Sequence, residues 1–186
     1  MSIDYRGSVV DLLNEAKEVE AGQRLFVLEQ VREILINREQ SLLREFLPHV
    51  MDLSVLANTK LRRFLIKFGG GALNLDFTLL PVVLESFNFM MTDQSESVHK
   101  AIASELTKIY GRAVMAIVRG NAVDAKGSGE QVWSKLNGMV ERLMNFAASP
   151  RSESVRTQAL HLIEVVLLFG FPAPPKSYDP RKRRTA

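Results

Sequence analysis

Few side chains in this sequence belong to the kinds that hold metals or attack substrates. Its three histidines, His49, His99 and His161, are about 50 or more residues apart, and none belongs to an HExxH pattern, which places two imidazoles on one helix face. The chain contains no cysteine, which excludes disulfides, thiolate nucleophiles and cysteine-ligated zinc. We therefore expect no metal site and no cofactor.

The glycine run Gly69-Gly70-Gly71 is the nearest approach to a phosphate-binding loop. It lacks the preceding strand and the following Lys-Ser or Lys-Thr pair that such a loop needs. We interpret it as a helix weakened near its end, because glycine costs roughly 1 kcal/mol relative to alanine in a helix interior. The chain also has no Gly-x-Ser-x-Gly elbow and no recognisable Ser-His-acid frame. The sequence thus predicts a protein that is not an enzyme.

Basic residues are the remaining candidates for function, and they recur in successive apolar-periodic segments. In a stack of helices they could align into a positive stripe that attracts RNA or an acidic or phosphorylated partner. For Arg62 and Arg156 the alternative is structural, since an arginine after an apolar residue can tie neighbouring repeats together. The net charge of +3, from 24 basic and 21 acidic residues, is too mild to indicate nucleic-acid binding alone.

Apolar residues recur at spacings of three and four from Ser8 to about Gly170, which is the period of a helix that buries one face. No window of comparable length alternates as a strand would. Polar turns such as residues 57–59, 92–95 and 149–152 separate the periodic segments. After an opening segment near residues 9–16, the pattern predicts helices over residues 21–38, 41–53, 59–73, 77–91, 97–119, 131–148 and 154–169.

A loose internal repeat in the sequence indicates how these helices are arranged. An apolar first helix, often with a proline such as Pro48 or Pro81, precedes a polar turn and a second helix that opens with an apolar-basic pair. The pairs are Leu61-Arg62, Val98-His99 and Val155-Arg156. This is the HEAT pattern, in which hairpins stack into a curved α-α superhelix because one hairpin cannot bury its own apolar face.

We therefore predict an all-α domain of about four hairpins over residues 8–170, with a loop near residues 121–130, which is a mobile connector or a binding loop. Residues 1–7 are expected to be an extension, and residues 171–186 a Pro-rich basic tail. The tail ends with Arg181, Lys182, Arg183 and Arg184. This cluster is a nuclear-import signal, a nucleic-acid contact or solvated charge.

The second helices are expected to line the concave side of such a stack and to carry its working surface. The chain has no apolar run of roughly 18 residues, and Met1 to Gly7 lack the apolar core of a signal peptide. We expect a soluble intracellular protein without membrane contact. The candidate partner-binding residues are Arg63, Lys67, Lys100, Lys108, Arg156, Thr157 and His161.

The order of five segments resembles the N-terminal HEAT-repeat region of the symplekin family. They are VVDLLNEA at residues 9–16, LEQVREILIN at 28–37, SLLREFL at 41–47, LRRFLI at 61–66 and SVRTQALHLIE at 154–164. Each string alone is a generic amphipathic helix, so the joint order and spacing over roughly residues 8–169 carry the resemblance.

The resemblance implies a nuclear scaffold of the pre-mRNA cleavage and polyadenylation machinery. It also implies that a phosphatase of the RNA polymerase II C-terminal domain binds the concave side, against second helices that include residues 154–169. His161 stands where relatives can carry lysine, and Gly69 to Gly71 replace bulkier residues. Since that family continues beyond this length, the resemblance further implies an N-terminal fragment. Direct RNA binding through the basic stripe and tail is the alternative function.

Overall fold

The computed structural model describes residues 4–56, 58–121, 129–148 and 153–170. These residues are helical, without a strand among them, so the predicted all-α class is confirmed. The predicted tail, with Arg181, Lys182, Arg183 and Arg184, lies outside the described residues, as do residues 122–128 of the predicted loop. The helices are α1 Tyr5–Glu18, α2 Ala21–Arg32, α3 Leu43–Asp52, α4 Thr59–Leu75, α5 Leu80–Met90, α6 Glu96–Val118, α7 Gly129–Ala148 and α8 Glu153–Gly170.

Local capping explains where several helices begin. The Asp4 side chain accepts a hydrogen bond from the Gly7 N–H at 2.9 Å, so α1 starts at Tyr5 rather than at the predicted residue 8. Asn58 caps α4 in the same way through the Leu61 N–H at 3.0 Å. Pro81 lies in the first turn of α5, where its missing N–H costs no helical hydrogen bond. After Arg32, α2 continues as a π-helical turn over Glu33–Arg38.

Consecutive helices pair as hairpins, and the hairpins pack side by side. Hairpin 1 is α1 with α2, hairpin 2 is α3 with α4, hairpin 3 is α5 with α6, and hairpin 4 is α7 with α8. The first helices contact one another in the order α1, α3, α5, α7, while the second helices contact in the order α2, α4, α6, α8. The buried side chains form a continuous apolar core along the hairpins.

The end of α5 and the residue after it are rich in phenylalanine and methionine. Phe87, Met90 and Met91 are buried in the core, whereas Phe89 is partly exposed. Among the described residues, no helix is both long and apolar enough to cross a membrane.

The glycine run lies near the end of α4, as predicted, but two of its glycines also have a packing role that the sequence does not indicate. Helix α4 continues to Leu75, and Gly69 and Gly70 are buried within it. A Cβ on Gly69 would lie 3.1 Å from Val83 Cγ1 and 3.2 Å from Phe87 Cε1. A Cβ on Gly70 would overlap the Glu105 carboxylate of α6. These two glycines therefore let α4 approach α5 and α6 closely, which periodicity cannot reveal.

Alanine substitutions in the glycine run should have opposite effects. No neighbouring atom lies within 4 Å of a Cβ on Gly71, so Gly71→Ala should stabilise the protein by up to about 1 kcal/mol through helix propensity. Gly69→Ala meets crowded core atoms and should lose that gain or destabilise the protein. Urea unfolding of both variants measures the free energies. Equal stabilisation by both would contradict the close packing at Gly69.

The Asp76 carboxylate makes one of the links between hairpins 2 and 3. Asp76 accepts hydrogen bonds from Arg44 Nε at 2.5 Å, from Thr78 Oγ1 at 2.6 Å and from the Thr78 N–H at 3.0 Å. The bonds from Arg44 and Thr78 lower the pKa of Asp76 from 3.8 to about 2. Asp76 thus joins α3 to the turn that begins hairpin 3.

Protonation of Asp76 should release this link. Because its pKa is lower in the folded protein, the stabilisation is complete above the unfolded-state pKa of about 4 and is lost as pH falls towards about 2. Asp76→Asn should lower the free energy of unfolding at neutral pH by about 1 kcal/mol, since Arg44 is mostly exposed. Urea titrations between pH 7 and pH 2 should show the difference from wild type shrinking with acidity. A constant difference across that range would contradict the assignment.

Candidate interaction surface on the second helices

The second helix of each hairpin has a side chain with a structural role at the same position, counted from the start of the helix. The fourth residue is Arg24 in α2, Arg62 in α4, His99 in α6 and Arg156 in α8. Each lies near the turn that joins the two helices of its own hairpin. We call these four the fourth-position residues. Their side chains contact other parts of the protein, whereas other basic residues of the same helices are exposed to a partner.

Arg24 binds backbone carbonyls at the turn of hairpin 1. Its Nε donates to the Ala16 carbonyl at 2.6 Å, and its Nη2 donates to the Val19 carbonyl at 2.9 Å. Its Nη1 reaches the Leu56 carbonyl of hairpin 2 at 3.1 Å. One guanidinium therefore caps the end of α1 and joins hairpin 1 to its neighbour.

Arg62 repeats this arrangement one hairpin further along. Its Nε donates to the Ser54 carbonyl of its own hairpin at 3.3 Å, while its Nη1 forms an ion pair with Asp93 of hairpin 3. Burial raises the pKa of Asp93, but hydrogen bonds from Arg62 and the Ser95 N–H outweigh it, and the net pKa is lowered. The proposed structural role of Arg62 as a tie between repeats agrees with these contacts.

The fourth-position residue of hairpin 4 repeats the bond to a carbonyl, but that of hairpin 3 does not. Arg156 Nε donates to the Ala147 carbonyl near the end of α7 at 3.2 Å, as Arg24 and Arg62 do in their own hairpins. His99 instead stacks on Phe146 of hairpin 4, with ring centroids 4.1 Å apart. The His99 side chain is buried, with a residue exposure of 4%, and its Nε2 has no hydrogen-bond partner among the described residues. An aromatic contact thus replaces the arginine tie between hairpins 3 and 4.

Most of the predicted partner-binding residues occupy the next positions of the same helices. The fifth residues are Arg63, Lys100 and Thr157, and the ninth residues include Lys67 and His161. All five are exposed.

Contacts between α4 and α6 show that the two helices run in the same direction. Glu105 lies against Gly70, and further along both helices Arg112 Nη2 donates to the Leu73 carbonyl at 3.3 Å. The exposed cations of α4 and α6 therefore belong to two parallel neighbouring helices.

Three predicted residues also have local contacts within their own helices. Lys108 Nζ lies 2.6 Å from Glu105 Oε1, Thr157 Oγ1 donates to the Glu153 carbonyl at 3.1 Å, and His161 Nδ1 lies 3.4 Å from Glu164 Oε2. Lys108 and His161 remain more than half exposed. These local contacts leave both side chains accessible at the surface.

The charge of this surface is concentrated on α4 and α6. Helix α4 has four basic residues and no acidic one. In α6, Glu105 is largely buried beneath Lys108, with a side-chain exposure of 12% against 62%. We call Arg63, Lys67, Lys100 and Lys108 the basic patch. Its charges face solvent, while the fourth-position arginines are engaged with carbonyl groups.

Among the described residues, no group of three histidine or carboxylate side chains is close enough to hold a metal ion. Comparison of the sequence with models of known protein families finds no match.

Sequence reasoning missed Arg24 and misjudged His99. Arg24 follows Gln23 rather than an apolar residue, so the apolar-basic pair did not identify it, although its distance from the helix start is the same as in the other hairpins. His99 was predicted as the basic member of an apolar-basic pair, but it is buried against Phe146. Aligning the helix starts would have found Arg24, whereas no sequence signal indicates the burial of His99.

The adjacent residues Arg62 and Arg63 of α4 provide a direct test of the difference between structural and exposed cations. Arg62→Met should lower the free energy of unfolding by about 2–3 kcal/mol, because it leaves the largely buried Asp93 without its charged partner. Arg63→Met removes an exposed cation and should change stability by less than about 0.5 kcal/mol. Urea unfolding at neutral pH measures both. Similar losses from the two substitutions would contradict the distinct role of the fourth position.

Proposed function

We propose that the four hairpins form a HEAT-type α-α superhelix that acts as a non-catalytic interaction scaffold. The separate contact series of first and second helices supports this architecture, because it is the pattern expected when hairpins stack in one direction. A stack of this kind offers an extended surface on each layer. The second-helix layer carries the basic patch and is the proposed partner-binding side.

The observation that carries this proposal is the division of the cations between two adjacent positions. The fourth-position arginines donate to main-chain carbonyls, and Arg62 also pairs with Asp93. Arg63, Lys67 and Lys100 lie beside them with their side chains exposed. Stability does not account for this second set, whereas recognition of carboxylate or phosphate groups does. Thr157 and His161 join the proposed interface at its α8 edge, whereas Arg156 takes the structural role of the fourth-position arginines.

The resemblance to the symplekin family adds a cellular process, pre-mRNA 3′-end processing, to this proposal. We place the protein in the nucleus, as a scaffold for subunits of the pre-mRNA cleavage and polyadenylation machinery. Its proposed direct partner is a phosphatase of the RNA polymerase II C-terminal domain. The order of the five sequence segments supports this assignment, and the exposed cations of α4 and α6 supply a surface for the contact.

Charge reversal in the basic patch tests the interface. The double variant Lys67→Glu, Lys100→Glu should weaken binding of the purified phosphatase by about tenfold or more, because two cations become like charges facing an acidic surface. Lys17→Glu, on the exposed side of α1, is the matched control and should bind as wild type does. Isothermal titration calorimetry gives the affinities. Unchanged binding by the double variant would exclude the basic patch as the interface.

RNA binding is the second candidate function, and it is favoured by the absence of any carboxylate in α4. A backbone-binding surface should lose affinity steeply with salt, because each neutralised phosphate releases counterions, with a slope of about −0.7 per contact for single strands. Fluorescence anisotropy with a labelled single-stranded RNA between 50 and 200 mM salt, about the range over which such losses are large, measures this slope. No detectable binding at the lowest salt would remove this candidate.

A further inference from the structure

The outer side of hairpin 1 carries an apolar groove at a distance from the basic patch. Its apolar lining consists of Leu12 of α1, Phe26 of α2 and Ile34 of the π-helical turn, and its volume is about 670 Å³. Phe26 is 68% exposed, which is unusual for a phenylalanine in the middle of an amphipathic helix. The π-helical turn after α2 contributes one end of the groove through Glu33 and Ile34.

Comparison with the other hairpins shows what this side of a hairpin normally contacts. Phe26 is the sixth residue of α2, and the sixth residues of α4 and α6 are Phe64 and Ala101. Both of these are partly buried against the core, whereas Phe26 is exposed. The residues that line the groove all belong to hairpin 1 and the π-helical turn that follows it. Among the described residues, no other hairpin therefore covers the groove.

Acidic side chains at the rim of the groove favour a positively charged occupant. Three carboxylates line it, from Asp11, Glu29 and Glu33. Glu33 accepts hydrogen bonds from Asn37 and Arg38, which lower the pKa of its carboxyl, and the ion pair with Arg38 offsets its charge. Asp11 and Glu29 form no ion pair among the described residues, and they supply the net negative charge of the rim. Residues 4–38 contain seven acidic and five basic residues, and two of the basic ones, Arg6 and Arg24, are bound to Glu45 and to backbone carbonyls. Thus the apolar lining lies within a negative rim.

We propose that this groove binds an amphipathic helix of a partner protein, with an apolar stripe flanked by lysine or arginine. Apolar residues spaced by three and four positions would cover Leu12, Phe26 and Ile34. The flanking cations would face Asp11, Glu29 and Glu33 across the rim. This site has the opposite charge preference to the basic patch, so the two surfaces recognise different partners.

Two synthetic peptides test the proposal on the full chain. Each is an amphipathic helix of about 18 residues, long enough to be partly helical in water, with leucines along one stripe. One peptide has lysines flanking the stripe, and the other has glutamates in their place. Fluorescence anisotropy should show that the lysine peptide binds at least about tenfold more tightly than the glutamate peptide.

Substitutions locate the binding on the protein. Phe26→Ala and Glu29→Lys should each weaken binding of the lysine peptide by about tenfold. The matched controls are Phe89→Ala, another partly exposed phenylalanine, and Glu18→Lys, another exposed glutamate of hairpin 1. Both controls should bind as wild type does. Circular dichroism and urea unfolding of every variant verify that the fold is retained.

Four outcomes would overturn the proposal. Equal binding of the two peptides would show that the rim does not select charge, and equal effects of Phe26→Ala and Phe89→Ala would place binding elsewhere. Concentration-dependent dimerisation that Phe26→Ala abolishes, measured by sedimentation, would make a second copy the occupant. A rise in peptide affinity when residues 181–184 are all replaced by glutamine in the full chain would make its own basic tail the occupant.

Discussion

The apolar core of this protein is shared between its hairpins. The buried residues of α4 show this, because Leu65, Phe68 and Leu73 belong to one core that also includes residues of hairpins 1 and 3. Each hairpin therefore depends on its neighbours to keep part of its apolar surface away from water. The hydrogen bonds and ion pairs described above adjust how neighbouring hairpins meet.

Periodicity was sufficient to predict the fold class and nearly all the helices, because burial of one helix face imposes a spacing that sequence alone displays. The fine geometry of contact was not predictable in this way. Gly69 and Gly70 have the low helix propensity of any glycine, and only the positions of Val83 and Glu105 show that their missing side chains allow close packing. His99 has the sequence context of Arg62, but its stacking on Phe146 depends on a residue far along the chain.

Only part of the candidate site could be predicted from the sequence. Helical spacing identified exposed cations on the second helices, and Arg63, Lys67 and Lys100 are indeed at the surface. Their separation from the fourth-position arginines depends on hydrogen bonds to carbonyls such as those of Ala16 and Ser54, which no side-chain pattern encodes. One helical position thus serves the joints between hairpins, and the next is left available for contacts with other molecules.

The glycines of the second helices also restrict how this sequence can diverge. Gly70 lies beneath Glu105, and Gly111 lies beneath the ring of Phe169, where a Cβ would come within 2.6 Å of ring carbons. A larger residue at Gly111 fits only if the Phe169 ring moves aside or becomes smaller, and a larger residue at Gly70 requires the Glu105 side chain to be displaced. In homologous proteins each glycine and its neighbour should therefore change together, so that pairwise covariation across α4, α6 and α8 records the spacing of the helices.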